Sequence, residues 1–296
     1  MNKIFIIYFL FLFGISNAQS FEPRYLSPAP VGMNIVLFGY GYSYGNILTD
    51  SALPIKDVDA SLHSFLGAYV RTIDFFGLPG KVDVIVPFSY GYWTGKVYGR
   101  DSSTTRVGLV DPMVRLSVTL IGGKVLSPSE FRSYDEDFSL GVAFRVRAPI
   151  GQYDETKLIN LSTNRWMFKP SIGMAYKLNR WIFELHFNAW FFTTNNKFFN
   201  GNKLQQNPLY SGQLHVIYSF KAGFWGAVSF GLTSGGRTIL NDIYKDDTQL
   251  SQRIGALLVF PVSQKHSIKI GFVSGVSTRY GADFDSVGLT YQYRWF

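Results

Sequence analysis

Residues 138–150 read FSLGVAFRVRAPI, and this stretch decides the fold. Every second position from Phe138 onward is apolar, while the alternate positions include Arg145 and Arg147. Successive side chains of a β-strand point to opposite faces of the sheet, so the pattern predicts a strand with one apolar and one polar face. The stretch is also longer than the ~5–6 residues that are usual for strands of soluble proteins.

The same alternation recurs about twelve times along the chain, most clearly in residues 181–191 and 287–295. Each segment is long enough to cross a bilayer, for which ~9–11 tilted residues suffice. We therefore predict an all-β fold, a transmembrane antiparallel up-and-down β-barrel of about twelve strands over residues 33–296. A soluble propeller or sandwich is the alternative fold, and the strand length argues against it.

The composition agrees with a membrane barrel. The chain has 27 Phe, 18 Tyr, 6 Trp and 29 Gly, but only 16% charged residues. Beyond residue 18 it has no run of eighteen apolar residues, which excludes membrane-spanning helices. The formal net charge is +8, yet the basic residues form no cluster, so we expect no nucleic-acid partner.

The first residues have the features of an export signal. Lys3 precedes an apolar run over 4–13, and Ser-Asn-Ala at 16–18 is a small-residue cleavage site. Ten apolar residues fall short of the ~20 that a spanning helix needs. We predict a signal peptide over 1–18 and an N-terminal periplasmic segment over 19–32, and hence a location in the outer membrane of a Gram-negative bacterium.

The connections between the predicted strands alternate in length. Short turns, which we place in the periplasm, alternate with longer polar external loops that include 96–105, 195–207 and 238–249. The connection 121–136 is long for the periplasmic side, and Ser127–Glu130 in it has the capping residues of a short helix.

If the apolar faces meet lipid, the opposite faces line the lumen. The predicted lumen and solute-path residues are Arg71, Arg115, Arg145, Arg147, Lys169, Glu184 and Arg253. The predicted inward histidines are His63, His186 and His215. Two interpretations remain open: a structural network of ion pairs that fills a narrow interior, or a path of positive potential that favours anionic solutes.

An enzyme is the main rival class of protein. Barrels of the outer-membrane phospholipase type have their nucleophilic serine two residues after the histidine, whereas this chain has Phe65, Asn188, Ile217 and Ile268 at those positions. No histidine cluster has the sequence spacing of a metal site. We therefore expect no catalytic residues, no enzymatic activity, no metal and no cofactor, with a barrel-embedded hydrolase as the less favoured alternative.

Several stretches do not alternate and carry a resemblance. Residues 148–154 read APIGQYD, and residues 157–166 read KLINLSTNRW. Together with Val110-Asp111-Pro112 they resemble the transporter-like outer-membrane family of the meta-pathway of phenol degradation, over essentially the whole mature chain. Val110 and Ser162 depart from that pattern, in which glycine is usual. The resemblance implies uptake of aromatic or other small hydrophobic compounds.

The non-alternating segment 151–165 is predicted to be an external loop. One hypothesis is that it forms a constriction with Arg115 and Arg145, and the other is that its own hydrogen bonds pin it. The predicted constriction residues are Tyr153, Asp154, Lys157, Asn160, Asn164 and Arg165.

The favoured function is a monomeric channel for passive uptake of small aromatic, hydrophobic or anionic solutes. A non-transporting structural or accessory barrel of a surface or secretion complex is the alternative. The C-terminal Tyr-Arg-Trp-Phe at 293–296 resembles the ends of barrels inserted by the barrel-assembly machinery, so the expected partners are that machinery, outer-membrane lipid and a small-molecule solute.

Overall fold

The computed structural model describes residues 21–48 and 55–296, so the predicted signal peptide lies outside the described residues. The described residues are almost entirely β-structure, with one short helix, α1 (Pro128–Phe131). The strands are β1 (Asn34–Leu48), β2 (Ile55–Phe75), β3 (Leu78–Val97), β4 (Arg100–Leu109), β5 (Met113–Ile121), β6 (Phe138–Arg147), β7 (Met167–Leu178), β8 (Trp181–Phe192), β9 (Asn195–Phe198), β10 (Asn202–Gln206), β11 (Leu209–Lys221), β12 (Phe224–Gly235), β13 (Thr238–Leu240), β14 (Ile243–Tyr244), β15 (Gln249–Pro261), β16 (His266–Thr278) and β17 (Gly281–Trp295). No helix in the described part of the chain is both long and apolar enough to cross a membrane.

The main sheet closes on itself. β1 pairs antiparallel with β2 on one side and with β17 on the other, so the first and last strands form the seam. β4 and β5 both pair with β3, and the break between them falls at 110–112, where Pro112 has no backbone N–H to donate. Counted as one interrupted strand, they complete a closed barrel of twelve antiparallel strands, as the alternation predicted.

The two faces of the wall differ as expected for a membrane barrel. On β8, Phe183 and Phe187 are 40% and 49% exposed, whereas the intervening Glu184 and His186 are 2% and 1% exposed. The outer face is thus an apolar band for lipid, and the inner face is buried and polar. The protein therefore encloses a polar interior, the reverse of a soluble protein's core.

The ends of the barrel differ in structure. At the predicted periplasmic end the strands join through tight turns such as Phe76-Gly77, with φ of 53° and 84°, and at Gly223, with φ of 75°. The predicted short helix is present as α1, and Ser127 and Glu130 form its capping box.

Three of the predicted external loops contain strands instead. Residues 195–207 and 238–249 contribute to a separate four-stranded sheet in the order β14-β13-β10-β9. Residues 96–105 extend the β3–β4 hairpin to a tip at Tyr98-Gly99. Both residues of that tip have positive φ, 49° and 76°, as do Asn200 and Gly201, and such pairs close two-residue hairpins.

Candidate functional site

The candidate site is the barrel lumen. Burial alternates along the strands, and six of the seven predicted lumen residues lie on the buried, inward register: Arg115, Arg145, Arg147, Lys169, Glu184 and Arg253. They come from five different strands. Closure of the sheet therefore brings together charges that are far apart in the sequence.

Arg71 does not line the lumen. It lies on the outward register of β2, is exposed, and donates to Asn34 through its guanidinium at 2.8 Å. His63 lies on the same outward register, and its Nδ1 is 2.7 Å from the Tyr40 hydroxyl. The prediction failed because both faces of β2 are mixed, and its more apolar face, with Val58 and Ala60, is the one turned inward.

The N-terminal segment, defined as residues 21–33, folds into the lumen, where we had predicted a periplasmic segment. The Thr72 hydroxyl donates to the Pro30 carbonyl at 2.6 Å, and the Val31 N–H donates to the Leu126 carbonyl at 2.9 Å. Lys81 donates from Nζ to the Ser27 carbonyl at 2.7 Å. A proline-rich segment without alternation gives no sequence signal for this path, because its partners lie in strands and in a connection that are distant in the sequence.

Glu22 is the first anchor of the N-terminal segment. Its carboxylate pairs with the Arg115 guanidinium and, at 2.6 Å, with Nη2 of Arg145, while Arg115 also pairs with Asp83 of the wall. Burial alone would raise the pKa of Glu22, but the charges of Arg115, Arg145 and Lys169 hold it well below its usual value. The segment thus places a fixed negative charge among the lumen arginines.

We call Arg115, Arg145 and Lys169 the basic centre. The Arg115 guanidinium lies 4.7 Å from the ring centroid of Tyr25, and Lys169 Nζ lies 4.6 Å from that of Trp190. A small cavity remains between these groups. Its lining consists of Glu22, Tyr25, Arg115, Ala143, Arg145, Lys169, Ser171 and Gln213.

Glu184 is the second anchor of the N-terminal segment. Its Oε2 accepts the backbone N–H of Arg24 at 2.8 Å, and its Oε1 accepts the Ser27 hydroxyl at 3.3 Å. The Arg24 guanidinium lies 5.3 Å from the ring centroid of Trp225. Two carboxylates, one on the segment and one on the wall, therefore hold the segment in place.

The mouth loop, residues 151–165, is held by hydrogen bonds, as one of the two hypotheses predicted. The Asn160 amide donates to the carbonyls of Asp154 and Lys157, each at 3.0 Å, and its Oδ1 accepts the Asp154 N–H at 2.8 Å. Thr156 donates to Asp154 through its hydroxyl and its N–H, and these bonds lower the pKa of Asp154.

The remaining predicted constriction residues connect the mouth loop to the β9–β10 hairpin. The Tyr153 hydroxyl donates to the Lys197 carbonyl at 2.7 Å, and the Asn164 amide donates to Asn195 at 3.0 Å. Arg165 donates to Gln206 and lies 4.5 Å from the ring centroid of Phe192. Arg115 and Arg145 contact Glu22, so the predicted joint constriction of the loop with these two arginines is wrong.

Asp111 fastens the mouth loop to the wall. This carboxylate is 1% exposed and accepts the backbone N–H groups of Gly151 and Thr163 at 3.1 and 3.2 Å. Arg147 donates to the Thr163 hydroxyl at 3.0 Å and lies 3.8 Å from Asp111. Arg147 therefore acts at the loop rather than in the basic centre.

Apolar contacts carry the mouth loop across the barrel opening. The loop leaves β6, and its residues Leu158, Ile159 and Leu161 pack on inward side chains of β2, β3 and β17. The buried members of this cluster are Val58, Ala60, Trp93 and Phe284. This contact explains why β2 turns its apolar face inward.

The structure also assembles a group that the sequence spacing did not reveal. Glu184, His186 and His215 have potential metal-ligating atoms that all lie within 4.8 Å of one another. The His215 Nδ1 is 2.7 Å from the Ser229 hydroxyl. Among residues 21–48 and 55–296, this serine–histidine pair lacks the carboxylate that orients a catalytic base, since the other ring nitrogen of His215 has no hydrogen-bond partner there.

A closed barrel with an apolar outer band and a polar, filled lumen defines the class: an outer-membrane β-barrel protein of a Gram-negative bacterium. The family described as "Putative MetA-pathway of phenol degradation" matches residues 45–291, and the chain belongs to that family. The resemblance seen in the sequence is thereby confirmed.

Solved structures share this fold. The chain is similar to the COG4313 outer membrane channel from Pseudomonas putida F1, with a TM-score of 0.79, 18% identity, and coverage of 93% of this chain and 100% of the other. The β domain of the Bordetella autotransporter BrkA gives a TM-score of 0.55 at 13% identity, covering 90% of this chain and 100% of that domain. A comparison with curated proteins found no match.

Proposed function

We propose that this protein is a monomeric outer-membrane channel that admits small solutes by passive diffusion and prefers anions. The observation that carries the proposal is the pairing of the basic centre with Glu22, a carboxylate from a segment that is not part of the barrel wall. The N-terminal segment and the mouth loop close the lumen in this conformation, so the channel opens when they move.

The expected anion preference follows from the charges that the wall itself supplies. The inward arginines and lysines outnumber Asp83, Asp111 and Glu184, and Asp83 and Asp111 are already engaged by Arg115 and by the mouth loop. When the N-terminal segment withdraws, Glu22 leaves with it. Charges in a narrow, poorly hydrated passage act strongly on a passing ion, so the basic centre attracts anions.

The family description names phenol degradation, which supports small aromatic compounds as the first solutes to examine. An aromatic carboxylate such as benzoate combines the ring with the charge that the basic centre accepts. The ring of such a solute fits beside Trp190 of the wall, which already lies against Lys169.

The test is conductance of the refolded full chain in planar bilayers, with reversal potentials measured in a salt gradient. We expect brief openings with anion preference. Replacing Arg145 and Lys169 of the basic centre by Ser is expected to reduce that preference, while Arg100→Ser at the exposed tip of the β3–β4 hairpin leaves it unchanged. Openings that prefer cations, or a preference insensitive to the residues of the basic centre, would overturn the proposal.

The filled lumen also favours a second candidate, a structural or accessory barrel that transports nothing. The N-terminal segment and the mouth loop are both held by buried polar contacts, as expected for a barrel that stays closed. This candidate predicts a folded, heat-modifiable barrel without conductance under any solute gradient, and a protein partner that co-purifies from outer membranes.

A further inference from the structure

We propose that Glu184, His186 and His215 form a buried site for a transition-metal dication, with Zn²⁺ as the representative ion. The site lies on the inner wall of the barrel, beneath the N-terminal segment. It adjoins the basic centre, because Tyr25 of the cavity lining packs edge-on against His186 with ring centroids 4.9 Å apart, but it does not depend on the proposed channel function.

The strand ladder fixes the three residues next to one another. Glu184 and His186 are two positions apart on β8, so both point inward. Glu184 lies directly opposite His215 on β11, and His215 lies directly opposite Ser229 on β12. The group therefore rests on three adjacent strands, which makes its geometry rigid.

The spacing of the side chains approaches that of a tetrahedral zinc site. Bonds of ~2.0–2.2 Å to nitrogen and oxygen place two ligands on one ion roughly 3.4 Å apart. His186 Nε2 is 3.5 Å from Glu184 Oε2, which already matches one edge of such a site. The whole set lies within 4.8 Å, so rotation of the His215 ring brings in the third ligand.

An unpartnered ring nitrogen points to a ligand. His186 and His215 are 1% and 0% exposed, yet His186 Nδ1 and His215 Nε2 have no hydrogen-bond partner in the described part of the chain. Buried polar atoms are nearly always paired, so the orphan on His215 needs an explanation. The ring centroids are 4.8 Å apart, and an ion shared by His215 Nε2 and His186 Nε2 would pair it, while His186 Nδ1 is not a ligand.

Neighbouring groups supply the second layer of contacts that metal ligands usually have. With Nδ1 of His215 donating to Ser229, Nε2 carries the lone pair that binds a metal. Glu184 accepts the Arg24 N–H and the Ser27 hydroxyl, and a carboxylate can keep such bonds while it ligates. The N-terminal segment thus forms part of the site.

The surroundings select for metals that prefer imidazole. Lys81 and Arg24 lie near Glu184, and their charge works against any dication, most of all against Ca²⁺ and Mg²⁺, which require several oxygen ligands. Two histidines and one carboxylate suit Zn²⁺, and the three protein ligands leave a fourth position for water.

The experiment is Zn²⁺ titration by isothermal calorimetry of the refolded full chain in detergent, with millimolar Mg²⁺ present throughout. The wild type is expected to bind one ion per chain. The double variant His186→Gln and His215→Gln is expected to lose this binding. The chain provides a matched control in its two other histidines, so the double variant His63→Gln and His266→Gln is expected to bind as the wild type does.

Ser229→Ala is a milder variant that keeps all three ligands. It tests the site without relying on the double variant, which could lose binding simply by misfolding. We expect it to weaken Zn²⁺ affinity about 10-fold or more, as for other second-layer partners. Absence of binding by the heat-modifiable wild-type barrel would overturn the proposal, as would equal loss in both double variants. Conductance is measured in a separate experiment. Absence of Zn²⁺ binding therefore leaves the channel proposal intact, and absence of conductance leaves the metal-site proposal intact.

Discussion

At the scale of single residues, Glu22 links a segment outside the wall to the charges inside it. Its carboxylate contacts Arg115 and Arg145, which lie on neighbouring strands. Replacing it by Gln keeps the shape but removes the charge. We expect Glu22→Gln to leave the barrel folded and to raise the frequency of openings in planar bilayers several-fold. Loss of a buried ion pair costs more free energy than loss of an exposed one, so the N-terminal segment should be held less firmly.

The matched control is Glu155→Gln, which removes an exposed carboxylate paired with Lys197 at 3.7 Å on the external side. Exposed pairs contribute little, so this variant should open as rarely as the wild type. Equal opening frequencies in Glu22→Gln and the wild type would show that docking of the N-terminal segment in the lumen does not depend on the Glu22 carboxylate.

The pH dependence of segment docking follows from the same residue. Docking holds the pKa of Glu22 well below 4.5, so the ion pairs are complete above that pH and are lost as pH falls through the lowered pKa. We expect the frequency of openings in planar bilayers to stay constant from pH 8 down to pH 5, and to rise only as the pH falls further through the lowered pKa. A rise already at pH 6 would assign docking to another group.

The sequence predicted the inward charges of the strands from β5 to β8 and of β15, because alternation there separates apolar from polar positions cleanly. It failed at Arg71 and His63, since the inner face of β2 meets the mouth loop and is apolar for that reason. The cluster of His186 and His215 could not be predicted, because it depends on the register between strands, which a sequence pattern does not contain.

At the scale of elements, the mouth loop depends on Asp111. Asp111→Ala removes the acceptor for two loop N–H groups and leaves Arg147 with a buried charge that has lost its partner. We expect a loss of about 3–5 kcal/mol in the interaction that holds the loop, and faster trypsin cleavage after the exposed Lys157.

Asp101→Ala serves as the control for the loop, because Asp101 is exposed near the tip of the β3–β4 hairpin. Its cleavage rate at Lys157 should match that of the wild type. Unchanged cleavage in Asp111→Ala would mean that the apolar contacts of Leu158 and Ile159 suffice to hold the loop.

Element by element, periodicity predicted the twelve wall strands, and the capping residues Ser127–Glu130 predicted α1. It did not predict the external sheet of β9, β10, β13 and β14, whose strands are two to five residues long and too short to show alternation. The sequence also did not predict the path of the N-terminal segment through the lumen. Its partners are the inner faces of strands up to 160 residues away, as for Arg24 and Glu184.

At the scale of the whole molecule, the membrane fixes which face tolerates charge. Phe187 lies on the outer face near the middle of β8 and is 49% exposed, so lipid is its environment. We expect Phe187→Arg to lower the free energy of unfolding by roughly 2–4 kcal/mol, measured by guanidinium unfolding in lipid vesicles.

Phe76→Arg is the companion variant, because Phe76 is 93% exposed at a turn at the end of the barrel, where charge meets headgroups and water. Its effect should stay near ~0–1 kcal/mol. Comparable losses in both variants would contradict the assignment of the outer face to lipid.

The seam between β1 and β17 has a consequence for how the molecule is made. It joins residues from opposite ends of the chain, such as Asn34 and Trp295, so it carries the largest loop-closure entropy of any strand pair. The N-terminal segment directly precedes β1 and lies within the ring that this pairing completes. Contacts of the segment with β5, β6 and β8 tether the start of β1 to the middle of the chain, and so shorten the loop that the seam has to close.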